Sequence, residues 1–247
     1  MIAPAEVSFL SFGLPKMGNT DAEWEDSAAH SEAGACFVVA DGATSAYSAG
    51  LWSHLLTRGF LRERFVFDDR EDLSQWLRRR AQEWHARTAV AEDDPYYLRE
   101  AQARGSHATL LAVELVPGGR WQAVAIGDSC LLHYRRGELI SSFPISDPDA
   151  FGFTPDLVAT DRDTSMLAQR ASGGLRSGDV LVAATDAAAE WMLRYAGTDD
   201  DPAPVVLADG GDLLATVLAA REAGRLRNDD VALVRAVIAG VPEETRP

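Results

Sequence analysis

The sequence holds one lysine, two cysteines and no long apolar run, and each scarcity removes a class of explanation. Lys16 is the single lysine among 23 basic residues, a bias of arginine over lysine usage that carries no chemistry by itself. Cys36 and Cys130 each sit inside an apolar strand-like run with neither a zinc spacing nor a disulfide framework around them, so both are expected to be buried free thiols. No stretch approaches the roughly 18–20 apolar residues of a membrane span. The start, Met1-Ile2-Ala3-Pro4-Ala5-Glu6, lacks the basic head and apolar centre of a signal peptide. The expectation is a cytoplasmic protein with no membrane partner. Basic charge is scarce overall, 23 Lys and Arg against 38 Asp and Glu for a net −15. That balance argues against a nucleic-acid partner, which would need a basic face.

What remains, 47% hydrophobic and 25% charged over 247 residues, is the composition of a globular protein with a real core. No linker or repeat divides it, and one domain over residues 1–247 is the expectation. Residues 5–12 alternate loosely as a first strand. Residues 34–41 are apolar on both faces and predict a central strand. From Ser45 the period changes: Leu51, Trp52, Leu55, Leu56 and Phe60 form one helical stripe that Thr44 or Ser45 could cap. A second helix with Leu73, Trp76, Leu77, Trp84 and Thr88 on one face follows residues 68–72. Residues 106–116, 120–126, 129–135 and 138–143 read as strands separated by glycine turns. Residues 144–177 read as irregular, a length of loop that is often functional. A buried strand at 180–184, a helix through Trp191, a helix over 211–223 and a strand at 231–238 complete the chain. Two antiparallel sheets face to face with helices outside, an α+β fold with α/β/β/α layers, would bury this apolar surface.

Acids recur at strand ends. Asp41 closes "CFVVA", Asp186 closes "VLVAAT", Asp229 and Asp230 precede "VALVRAVI", Asp128 interrupts "VAIGDSCLL", and Glu25-Asp26 stands ahead of the Asp41 strand. Each alone reads as a turn or a solvated terminus. Gathered at one sheet edge they would repel one another unless cations neutralised them. Oxygen-only ligands select Mg²⁺ or Mn²⁺ over zinc, and two such ions ~3.5–4 Å apart can drive displacement at phosphorus. The lone histidines read otherwise, His107 as strand packing and His133 as strand surface.

The segments "EWEDS", "VVADGATS", "GSHATLLAV", "AIGDSCLL", "GDVLVAATDAAAEWM" and "NDDVALV" come in the order and spacing of the metal-dependent (type 2C, PPM) protein phosphatases. The resemblance runs from about Ser11 to Ile238, and "DGATSAYSAG" looks like the divergent bacterial branch. It implies two Mn²⁺ or Mg²⁺ ions and hydrolysis of phosphoserine or phosphothreonine through a metal-bridging hydroxide. Asp41 matches the ligand bridging both ions, and Gly42 matches the residue whose carbonyl binds one of them. Glu25 and Asp26 match the acidic pair at the second ion, and Asp186 and Asp229 match ligands of the first. Asp128 resembles the aspartate that, with the Asp186 equivalent, holds a weaker third ion. Residues 144–177 match the family's flap beside the substrate cleft. The implied partner is a phosphorylated protein, the product of a serine/threonine kinase.

Four departures stand out. Asp21 replaces an arginine that contacts substrate phosphate in the family, leaving Lys16 as the nearest substitute. Ala43 replaces a histidine found in some members, Ala187 follows Asp186 in place of glycine, and Asp230 replaces an asparagine. The missing arginine motivates an alternative, a pseudophosphatase that keeps the fold as a partner-binding module.

Overall fold

The computed structural model describes residues 6–152 and 155–241. The first five residues of the N-terminal reading, and residues 153 and 154 of the 144–177 segment, lie outside the described residues. Twelve described strands and six α-helices follow one another as β1 (Glu6–Leu14), β2 (Ser27–Ser31), β3 (Cys36–Ala40), α1 (Ala49–Arg62), α2 (Arg70–Arg87), α3 (Tyr96–Arg104), β4 (His107–Ala108), β5 (Leu110–Val116), β6 (Arg120–Ile126), β7 (Cys130–Arg135), β8 (Glu138–Phe143), β9 (Val158–Ala159), β10 (Gln169–Gly174), β11 (Val180–Ala184), α4 (Asp186–Tyr195), α5 (Ala203–Val206), α6 (Leu213–Glu222) and β12 (Val231–Gly240). Two five-stranded antiparallel sheets run in the orders β1-β12-β11-β7-β8 and β10-β6-β5-β3-β2, and β4 pairs with β9 apart from both.

Three apolar layers give the α/β/β/α order expected from the sequence. Phe37, Val39, Leu111 and Val113 of one sheet meet Leu131, Leu181, Val234 and Ala236 of the other. Trp52, Leu56, Phe60, Trp76 and Trp84 of α1 and α2 cover the outer face of the β10-β6-β5-β3-β2 sheet. Trp191, Met192 and Val217 of α4 and α6 cover that of the β1-β12-β11-β7-β8 sheet. Strand β3 is buried at every position, as a strand apolar on both faces must be. Cys36 and Cys130 are buried free thiols. No described helix is long and apolar enough to cross a membrane.

Several sequence expectations are corrected. The α1 stripe is right, but the helix starts at Ala49 and its N-cap is Ser48, in a left-handed conformation and without a side-chain cap bond. The 106–116 run splits at Thr109, because β4 pairs with β9 whereas β5 pairs with β3 and β6. The 144–177 segment is not uniformly irregular, since β10 lies in it as an edge strand against β6. Its "SGG" looks like loop until Trp121 is considered: a Cβ on Gly173 would stand 2.7 Å from that indole. Strand β2, "SAAHS", and helices α3 and α5 have patterns too short or too polar to be read from the sequence. His133 is not surface. It is 4% exposed and hydrogen-bonded through Nε2 to the buried Asp179 carboxylate at 2.9 Å.

Candidate metal centre

Four strand ends reach the same edge of the sandwich, and each delivers an acid. Asp41 follows β3, Asp128 lies in the turn between β6 and β7, Asp186 opens α4 after β11, and Asp229 precedes β12. These four carboxylates line one pocket of about 400 Å³ together with Thr44, Thr109 and Arg227. Gly152, Pro155 and Leu157 of the 144–177 segment border it as well. Asp26 stands behind Asp41, buried, with the two carboxyls in hydrogen-bonding reach of each other. Glu25 faces an adjoining pocket of about 460 Å³ that shares Thr44 and contains Lys16. Asp21, in contrast, is exposed on a short 3₁₀ turn.

The scaffold under these acids is specific. Thr109 accepts the Asp41 amide at 2.9 Å, donates its own amide to the Asp41 carbonyl at 2.8 Å, and meets the Ser129 hydroxyl at 2.7 Å. One buried threonine thereby ties the Asp41 end to the Asp128 turn. Gly127, at φ +106°, completes that turn; a Cβ there would also meet the Thr109 side chain at 2.6 Å. Asp230 accepts from the Lys16 amide and the Glu25 amide, both at 2.8 Å, and so pins the 15–26 loop to the start of β12. Arg221 donates to the carbonyls of Pro15 and Asp229, at 2.8 and 2.5 Å, from behind. Helix α1 turns Gly50, Ser53 and Thr57 toward the acidic pair: Ser53 bonds the Glu25 carbonyl at 2.5 Å and Thr57 bonds Ser27 at 2.7 Å. The positioning roles of these residues are not legible in the sequence, although Asp230 itself stands out there as a strand-end acid. The available signal was small or hydroxylated residues at i, i+3 and i+7 of an apolar helix, together with a threonine splitting a strand.

Gly42 has a reason of its own. A Cβ there would stand 2.7 Å from the Glu25 carbonyl oxygen and 2.9 Å from that of Ala49, both backbone atoms. Only glycine lets α1 and the 24–26 segment close on the Asp41 turn. Gly42→Ala is expected to displace Glu25 and Asp26 and to cost about 1–3 kcal/mol by overpacking, read as a lower denaturant midpoint. A midpoint and slope equal to the parent would show that the segment has slack.

The electrostatics are those of a crowded acidic site that Arg227 offsets only in part. Burial, then repulsion from Asp26, Asp186, Asp128 and Asp229, raises the Asp41 carboxyl well above its ordinary range. Burial likewise raises Asp26, with Asp186 and Asp230 adding to it and the Thr185 hydroxyl opposing it. Asp128 is pushed up to about 7 by burial and by Asp186. Burial and Asp186 raise Asp229, and burial raises Glu25. Asp26 Oδ2 and Asp128 Oδ1 are buried without a hydrogen-bond partner among the described residues, which is costly for a carboxylate.

A folded-state value above the unfolded one means that the native protein holds the proton longer, so stability falls as pH rises between the two. For Asp128 that window runs from about pH 4 to about pH 7. Asp128→Asn removes the penalty. In EDTA its Tm should gain on the parent's across that window, by about 3–6 °C. Parallel Tm curves for the two proteins would refute the burial argument.

Among the described residues, no group of three or more His, Cys, Asp or Glu side chains stands ready to hold an ion as placed. The acids share a pocket without forming a closed cage, and Asp186 is held by Arg227. The donor set nonetheless fits a hard divalent cation: it is all oxygen, it is mutually repulsive, and two of its buried oxygens are orphaned.

The sequence profile described as Protein phosphatase 2C matches residues 19–210. No curated protein sequence matches the chain. Solved structures do. The catalytic domain of the serine/threonine phosphatase PstP in complex with two manganese ions is 18% identical with a TM-score of 0.63, over 95% of this chain and 99% of that one. PppA of Pseudomonas aeruginosa, a regulatory component of the type VI secretion system, is 20% identical with a TM-score of 0.60, over 95% and 98%. The photosystem II phosphatase PBCP is 16% identical with a TM-score of 0.63, over 94% and 98%. At these identities the structural likeness establishes the fold.

Proposed function

The chain belongs to the protein phosphatase 2C family, and from that premise we propose that it is a metal-dependent phosphatase of phosphoserine and phosphothreonine in proteins. The observation that carries this reading is the delivery of Asp41, Asp128, Asp186 and Asp229 by four separate strand ends to one pocket. Nothing in the packing of the fold requires that arrangement, and it penalises the fold unless cations enter. Asp41 would serve two Mn²⁺ or Mg²⁺ ions, Gly42 would serve one through its carbonyl, and Asp186 and Asp229 would complete the first site. Glu25 and Asp26 would serve the second, and Asp128 with Asp186 a weaker third. Bound ions would polarise the phosphoryl group and lower the pKa of the attacking water.

The chain's own residues supply the positioning. Thr109 fixes the spacing of Asp41 and Asp128, and Asp230 fixes Glu25 against β12. Opening α4 with Asp186 sets that carboxylate on the helix's positive end, where its Oδ1 accepts the Ala187 amide at 2.5 Å. Lys16, beside Glu25 in the adjoining pocket, is the proposed contact for substrate phosphate in place of the arginine absent at position 21. Lysine supplies a point charge there rather than a bidentate fork. Gly152, Pro155 and Leu157 at the pocket mouth suit the 144–177 segment to a flap that meets the phosphoprotein. One continuous phosphatase domain in the cytoplasm is the organisation this reading assumes.

The test is hydrolysis of p-nitrophenyl phosphate and of a phosphothreonine peptide against added Mn²⁺. Saturable Mn²⁺-dependent turnover is expected. Calorimetric Mn²⁺ binding without turnover would identify a pseudophosphatase that uses the site for recognition, and absence of Mn²⁺ binding would overturn the site.

A further inference from the structure

Arg227 enters the acidic pocket from the turn before β12. Its guanidinium bonds the Asp186 carboxylate, and it stands 3.5 Å from Asp229 Oδ2 and 3.7 Å from Glu190 Oε2. Among the described residues that line this pocket it is the one cation. The pair is sheltered, with the Arg227 side chain 33% and the Asp186 side chain 15% exposed. Ionic contacts in such a place are screened less than those on open surface.

Resting on the metal-site reading above, we propose that Arg227 is the pocket's resident counter-ion. It neutralises Asp186 and Asp229 while no divalent ion is bound, it must yield them when one enters, and it thereby sets the metal affinity of the site. The chemistry is a competition. A guanidinium is charged at every working pH and cannot give way by losing a proton. An entering ion therefore has to break charge-assisted bonds at Asp186 and to settle beside a fixed positive charge. In return the ion-free fold is spared part of the repulsion that crowds Asp128 and Asp229. The opposite role, Arg227 orienting Asp186 for the ion, would reverse the sign of every effect on binding.

The experiment titrates Mn²⁺ calorimetrically into chelator-stripped parent, Arg227→Gln and Arg227→Lys proteins, with Tm read in EDTA and in saturating Mn²⁺. Arg227→Gln is expected to bind Mn²⁺ about five- to tenfold more tightly, to melt lower than the parent in EDTA, and to gain more from the ion. Arg227→Lys keeps the charge and should lie near the parent, which separates charge from packing. Equal or weaker Mn²⁺ binding by Arg227→Gln, with the parent binding normally, would overturn the counter-ion role. Failure of the parent itself to bind Mn²⁺ would overturn the metal site and this inference with it.

Discussion

Asp41→Asn is expected to lower Mn²⁺-dependent hydrolysis of a phosphothreonine peptide by about 10²–10³-fold or more, on the scale of losing a principal transition-state stabiliser. The same change should raise Tm in EDTA at pH 7.5. Asp41 is crowded by four other acids and is buried enough that its charged form penalises the fold. Asparagine keeps the shape, carries no charge, and its amide can donate to Asp26. Lost activity with gained ion-free stability is the signature of a ligand site, because a residue kept for packing would lose both. Retention of more than a tenth of the parent's turnover, or a lower Tm in EDTA, would remove Asp41 from the centre of the mechanism.

The second large effect lies at the opposite end of β11. Asp179 is fully buried and accepts from His133 Nε2 at 2.9 Å, from Arg135 Nε and Nη2 at 2.8 and 2.7 Å, and from the Arg176 amide at 2.8 Å. Burial alone would raise its carboxyl, but the bonds from Arg135, His133 and Arg176 outweigh it and hold the group below the ordinary range. Such a group contributes stability above the unfolded value that is lost as pH falls through the folded one. Asp179→Asn leaves Arg135 and His133 without their anion and should cost roughly 3–5 kcal/mol, about 10 °C or more in a domain of this size. Catalysis per folded molecule should be unchanged, since the cluster is remote from the acidic pocket. A melting temperature within about 2 °C of the parent's, a shift of 1 kcal/mol or less, would show that solvent replaces the carboxylate there.

The two ends of the sheet contrast in a way that bears on function. Both bury carboxylates. At Asp179 the chain supplies every counter-charge and donor, and the cluster is closed. At Asp26 and Asp128 one oxygen of each finds no partner among the described residues, and other acids crowd both carboxyls. A protein able to satisfy one buried aspartate so fully has left the others open, and cations are what the open set suits.

The layers, the central strands and the strand-end acids are all legible in the order of residues. Strand β3 is apolar on both faces, the α1 and α2 stripes have helical period, and the aspartates are conspicuous because they recur at the ends of buried strands. These are local patterns, and local patterns survive without neighbours. Features that depend on partners distant in the chain become visible only once it is folded. "SGG" became strand β10 because Trp121 lies over Gly173, and His133 became core because Asp179 comes to it from 46 residues away. Thr109 and Asp230 stand in recognisable segments and Arg221 in none, but the positioning roles of all three exist only where β3, β12 and the 15–26 loop meet. Arg227 is the plainest case. In sequence it is one of many arginines on an acidic chain, and only the fold sets its guanidinium on Asp186, because a salt bridge is a matter of distance and distance belongs to the folded chain.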